Sequence, residues 1–108
     1  MNWGLSDQTI SAIVEVLGRH LDVDQAVLYG SRAKGNFKPG SDIDLTLLGD
    51  KLDWRRCMAI ADELDELLLP YQIDLSVLPL LTDSGLRAHI ERVGVVFYRR
   101  TTIVREDP

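Results

Sequence analysis

Two hydrophobic periods alternate along this chain, and that alternation limits its fold more than any other feature. Short apolar runs at 26–29, 42–48, 71–78 and 95–98 read as strands. Segments of helical spacing lie before and between them. Ser6 suits an N-cap and Asp7 the first turn of a helix over 7–20, whose apolar stripe is Ile10, Ile13, Val14, Leu17 and Leu21. Asp53 caps a second helix carrying Trp54, Cys57, Met58, Ala61, Leu64 and Leu68, and Pro70 stops it. Asp83 or Ser84 caps a third, with Leu86, Ile90 and Val93 on one face and Gly94 at its end. Residues 31–35 predict a short helical turn, and Asn36 to Gly40 a loop. The order is helix, strand, strand, helix, strand, helix, strand. It predicts an α/β or α+β domain, a small sheet covered by helices. Periodicity leaves the strand order open.

With 108 residues, one domain over 1–108 is expected, with a polar tail from about 101 that frays. The formal net charge of −5 argues against direct nucleic-acid binding, which needs a basic footprint. Cys57 is the single cysteine, so neither an internal disulfide nor a multi-thiolate zinc site is open to the chain. The N-terminus lacks the basic-then-apolar pattern of a signal peptide, and no apolar stretch approaches the ~20 residues of a membrane span. A soluble, cytoplasmic protein with no membrane partner is expected. The sequence leaves room for a homo-oligomer.

The first three strands hold the chemistry. Asp42 and Asp44 flank Ile43 at the mouth of an apolar strand. Residues i and i+2 of a strand share a face, so the two carboxylates stand side by side, with Cα atoms roughly 6.5 Å apart. Adjacent carboxylates repel, and a divalent cation resolves that conflict. Mg²⁺ takes one or two carboxylates plus phosphate oxygens and water. Asp74, the one acid inside the apolar run IDLSVL, can join them if the strands are neighbours. Three convergent carboxylates can hold two metal ions. The plain alternatives are a turn residue for Asp42 and a solvated edge-strand acid for Asp74; Asp44, inside DLTLL, resists that explanation.

Gly30-Ser31 ends the preceding apolar run. Glycine lets backbone approach a ligand closely, and a following turn of helix presents free N–H groups that favour phosphate. The Ser31 hydroxyl adds a donor, and Arg32 and Lys34 add positive charge. A strand-to-helix turn with solvated basic residues would look the same if Gly-Ser stood alone. Two familiar phosphate motifs fail here. Gly30 and Gly35 have P-loop spacing, but Asn36 and Phe37 stand where Lys and Ser/Thr are required, and the glycines do not fit G-x-G-x-x-G.

Gly30-Ser31, ten residues, Asp42-Ile43-Asp44 and a later Asp74 together resemble the DNA polymerase beta type of nucleotidyltransferase. The stretch GSRAKGNFKPGSDIDL is similar to the minimal nucleotidyltransferase (MNT) antitoxins, as is the ending HIERVGVVFY. The resemblance covers nearly the whole chain. It implies a small mixed sheet flanked by helices, the nucleotidyltransferase fold, with a site for ATP and two Mg²⁺ ions. Asp42 and Asp44 would bind both metals, and Asp74 would help the metal facing the acceptor hydroxyl and serve as its base. Gly30 and Ser31 would hold the β- and γ-phosphates. The group pairs with HEPN-domain toxins, so the implied activity is AMP transfer to a hydroxyl of that partner, usually tyrosine, which silences it.

Two other functions stay open: a module that inhibits its partner by contact alone, and the nucleotide-binding subunit of a small-molecule nucleotidyltransferase. His20 and His89 have no ligand partner at metal spacing and are expected at the surface or at helix ends. Asp62, Glu63, Asp65 and Glu66 are expected on a solvated helix face, Arg55 and Arg56 at the surface, and Trp54 and Met58 in the core.

Overall fold

The computed structural model describes residues 2–100 of the chain. The expected fraying tail from about 101 lies outside them. Helix α1 spans Asp7–Gly18, strand β1 Gln25–Tyr29, the short helix α2 Gly30–Lys34 and strand β2 Ile43–Leu48. Helix α3 spans Trp54–Asp65, strand β3 Ile73–Val77, helix α4 Ser84–Val93 and strand β4 Val95–Arg99, with a 3-10 turn at Leu78–Leu80. The expected caps are in place. Ser6, Asp53 and Asp83 each accept from the backbone N–H three residues on, at 3.1, 2.8 and 3.0 Å. Helix α3 ends at Asp65, before the proline expected to stop it. Leu68 adopts a left-handed φ of 53°, which no continuing helix allows.

The sheet is mixed, in the order β3-β2-β1-β4. β1 pairs antiparallel with both β2 and β4, and β2 pairs parallel with β3 through the crossover that contains α3. Register sorts the side chains into two faces. Leu28, Leu45 and Leu75 are aligned across three strands, as are Ala26, Leu47 and Val77. These rows pack with Ile13, Val16 and Leu17 of α1 and Cys57, Ile60 and Leu64 of α3 to form the core. The opposite face carries Tyr29, Asp44 and Asp74 in one row and Val27, Thr46 and Ser76 in the next.

Helix α4 reaches that second face over β1. A Cβ at Gly94 would come within 2.8 Å of Val27 Cγ1, so glycine is what lets the end of α4 lie this close to the strand. Buried Ile90 belongs to the same helix. At the far end of the sheet, a polar network ties the α1–β1 connection to α3. Arg56 Nε donates to Asp22 Oδ2 at 2.8 Å, and Arg56 Nη2 donates to His20 Nδ1 at 2.8 Å. His20 Nε2 lies 2.7 Å from Glu63 Oε2, a close electrostatic contact outside hydrogen-bond alignment. The Arg56 bond holds the Asp22 carboxyl below its usual range despite opposition from burial. His20 thus takes the helix-end role expected of it, but buried, and Arg56 is engaged rather than free in solvent. Trp54 and Met58, expected in the core, are exposed at 67% and 44%. No helix among the described residues is long and apolar enough to cross a membrane.

Candidate active site

The end of β1 and the starts of β2 and β3 meet at one edge of the second face. Asp44 and Asp74 are register partners on adjacent parallel strands, and Tyr29 is the partner of Asp44 on its other side. Asp42 is exposed, two residues before Asp44 and just outside the ladder. Asp44 is half-buried and Asp74 exposed, so the row opens to solvent toward β3. Burial pushes the Asp44 carboxyl above its usual range. The charges of Asp74 and then Asp42 push it further, with only His89 opposing. The Tyr29 hydroxyl is also shifted upward. Burial is the main cause, opposed by a hydrogen bond with Ser76 and reinforced by Asp44 and Asp74. Behind this row, Ser76 Oγ donates to the Oγ1 of fully buried Thr46 at 2.8 Å.

Gly30 closes the site from the β1 side. Its φ of 75° lies in the left-handed region, and a Cβ there would collide with Asp44 Oδ2. The backbone of Gly30 and the carboxylate of Asp44 are therefore in direct contact, which only glycine permits. The Gly30 N–H is not turned outward. It donates to His89 Nε2 at 3.2 Å. Ser31 follows at the start of α2, half-buried, and among the described residues its hydroxyl makes no hydrogen bond. Lys34, at the end of α2, is exposed.

Arg32, expected to add charge toward a phosphate, is instead 1% exposed and turned into the protein. Its Nε and Nη2 both donate to the carbonyl of Ser41, at 3.1 and 2.9 Å. Nη2 also donates to Pro39 O at 3.2 Å, and Nη1 donates to Trp3 O at 2.9 Å. The guanidinium lies 4.8 Å from the Tyr71 ring centre and 5.2 Å from that of Phe37. The planar fork of arginine is the feature used, since one side chain gathers three carbonyls. It fixes the loop that ends at Asp42.

His89 is the site residue that sequence reasoning missed. It lies on α4 between Leu86 and Val93, on the same face as Ile90, and its ring meets Tyr29 edge-on at 6.1 Å. A histidine sharing an apolar stripe was the available signal. A hollow of about 520 Å³ is lined by Gln25, Leu48 and Val77 and so lies at the opposite end of the same strands. It has no part in the acid row.

The donor chemistry suits a hard cation, because hard oxygen ligands stand together with no lysine or arginine paired to them among the described residues, and burial, then Asp74 and Asp42, raise the Asp44 pKa. The carboxylates are not gathered around a point, however. Among the described residues, no three His, Cys, Asp or Glu side chains form a ready metal cluster.

A family model for the polymerase beta nucleotidyltransferases matches residues 11–103. The chain belongs to the polymerase beta nucleotidyltransferase family. No curated protein is matched by this sequence. Among solved structures, this nucleotidyltransferase resembles a toxin–antitoxin crystal structure with AMP-PNP, at TM-score 0.69 and 22% identity. That match covers 84% of this chain and 73% of the other. It also resembles a complex from Shewanella oneidensis of a tri-AMPylated HEPN toxin with an MNT antitoxin, at TM-score 0.66 and 19% identity, over 89% and 74% of the two chains. An MntA–HepT toxin–antitoxin structure matches at TM-score 0.65 and 20% identity, over 88% and 74%. At such identities the likeness is one of fold.

Proposed function

We propose that this nucleotidyltransferase is an MNT-type antitoxin that transfers AMP from ATP to a tyrosine hydroxyl of a HEPN-domain toxin and so neutralises it. The observation that carries this reading is the row Tyr29–Asp44–Asp74 with Gly30 pressed against Asp44. It sets acids with no lysine or arginine partner among the described residues beside a strand-to-helix turn in a chain of this family. The fold shared with toxin–antitoxin structures, one of them with AMP-PNP and one with an AMPylated toxin, supports the partner and the nucleotide.

In the proposed reaction the acceptor oxygen attacks the α-phosphorus of ATP. A new P–O bond forms, the bond from the α-phosphorus to the bridging oxygen breaks, and pyrophosphate leaves. Asp42, Asp44 and Asp74 would hold two Mg²⁺ ions, which when bound offset the charge of the triphosphate and of the attacking and leaving oxygens. Asp74, the most open of the two laddered acids, takes the acceptor's proton. Ser31 and its N–H hold the β- and γ-phosphates. Gly30 contributes by lacking a side chain, since its own N–H is committed to His89. Lys34, exposed one turn away, would add charge near the phosphates, while Arg32 acts only through the loop it fixes.

The test is the intact mass of the HEPN-domain protein after incubation with this chain, ATP and Mg²⁺. A gain of one or more AMP units, absent with Asp42→Asn/Asp44→Asn, is the expected result. No gain while a stable complex forms would replace transfer with inhibition by contact.

A further inference from the structure

His89 stands 59 residues from Gly30 in sequence, yet its Nε2 is the acceptor for the first N–H of α2. That N–H is one a helix cannot satisfy by itself. The usual remedy is a side chain at the N-cap, but Tyr29 occupies that position and makes no capping bond. Helix α2 is only five residues long, so its own hydrogen bonds fix its direction weakly. Its entry residue has a φ of 75°, which makes the peptide before Ser31 a sharp turn rather than a continuation of β1. A donor, a turn and a short helix thus meet at one place, and an imidazole from α4 holds them.

The ring is itself positioned. It packs edge-on against Tyr29, and α4 is brought down on β1 where Gly94 lies against Val27. Accepting at Nε2 requires a lone pair there, so the ring's proton sits on Nδ1.

We infer that His89 is a positioning residue of the nucleotide site. By holding the Gly30 N–H it sets the angle at which Ser31 presents its hydroxyl and backbone N–H to the phosphates of Mg-ATP. It also keeps the Gly30 backbone against Asp44. This inference rests on the nucleotide-binding part of the proposed function. Its specific content is that the acceptor atom matters and the ring does not. His89→Phe keeps the edge-on packing and removes the acceptor. His89→Gln removes the ring and returns an acceptor at about the reach of Nε2. His89→Ala removes both.

The experiment titrates Mg-ATP into the full-length native chain and the three variants, each labelled with ¹⁵N. It follows the Kd, the exchange rate of the Gly30 amide and the thermal midpoint. One neutral hydrogen bond corresponds to about a fivefold change in an equilibrium constant. The expected result is a Kd weakened about fivefold or more in His89→Phe and His89→Ala, with faster Gly30 amide exchange in both. His89→Gln should lie within about twofold of the native chain by both measures. Native-like affinity in His89→Phe would overturn the inference. So would equal weakening in all three variants that followed their loss of thermal stability, since that is ring packing alone. A native chain that binds no Mg-ATP would overturn the proposed function together with this inference. Binding by the native chain with no effect in His89→Phe would overturn this inference alone.

Discussion

Replacing Arg32 with methionine separates two roles that a basic residue beside a phosphate turn can play. Methionine fills much of the same space but offers no donors. The structure gives the guanidinium four hydrogen bonds to three carbonyls, those of Trp3, Pro39 and Ser41. Bonds to a charged group contribute roughly 1.5–3 kcal/mol each, so four independent ones would total about 6–12 kcal/mol. Two of them share Ser41 O, which lowers that sum. Removing the cation also removes the cost of having buried it without a carboxylate partner, which is on the order of several kcal/mol. The loop carbonyls of Pro39 and Ser41 can turn toward water. The balance is a loss of about 3–5 kcal/mol. For a domain of this size, each kcal/mol moves the midpoint by roughly 4–8 °C, so Arg32→Met should melt at least about 12 °C lower. Arg32→Lys should recover little, because an ammonium cannot reach three carbonyls in one plane. Calorimetry or denaturant titration of the three proteins measures this. A midpoint within a few degrees of native, together with weakened Mg-ATP binding, would refute it and return Arg32 to the phosphate.

Gly30→Ala should cost roughly 1–2 kcal/mol from the left-handed backbone alone. It should also displace the Asp44 carboxylate and abolish AMP transfer, which a melt and the mass assay read together; an active alanine variant would show that Asp44 need not touch Gly30. Asp44→Asn should raise the thermal midpoint at neutral pH while abolishing transfer, because the carboxylate it replaces is charged against its surroundings. The sign follows from linkage. The folded pKa lies above the unfolded one, so the native protein binds the proton more tightly and loses stability as pH rises between the two values. The advantage of the asparagine variant should therefore disappear once pH falls below the ordinary carboxylate value of 3.8, and an advantage that persisted there would point to packing instead.

Much of the fold was legible because period 2 and period 3.6 are easy to tell apart and because Ser6, Asp53 and Asp83 carry their caps within three residues. Alternation also placed Asp44 and Thr46 on the face opposite Leu45 and Leu47, whatever the sheet order. The strand order was not legible, since pairing of β1 with β4 joins residues more than sixty positions apart and leaves no local trace. Arg32 misled for the same reason. A basic residue after Gly-Ser in an acidic protein looks like a phosphate ligand, and its true partners at Trp3, Pro39 and Ser41 come from turns whose direction no period encodes. His89 was hidden differently. Its spacing put it on the buried stripe of α4, but the stripe alone does not say that the neighbour beneath is an unsatisfied N–H. Trp54 and Met58 fit the apolar pattern of α3 by residue type, yet the helix turns them to solvent, because periodicity marks a face without saying how wide it is.

These particulars give the site a consistent physical logic. The acids of the second face are coupled: after burial, Asp74 and Asp42 raise the pKa of Asp44, and among the described residues no lysine or arginine is paired with them. The one arginine in the Gly-Ser segment is turned away and fully engaged elsewhere. Instead of pairing with the acids, it anchors the loop before Asp42. On the proposed function, the positive charge that balances them arrives with Mg-ATP. The Gly30 backbone, the Asp44 carboxylate and the His89 ring touch one another in sequence. A change in how α4 seats on β1 therefore reaches the acid row through the His89–Gly30 hydrogen bond and through the edge-on contact of His89 with Tyr29.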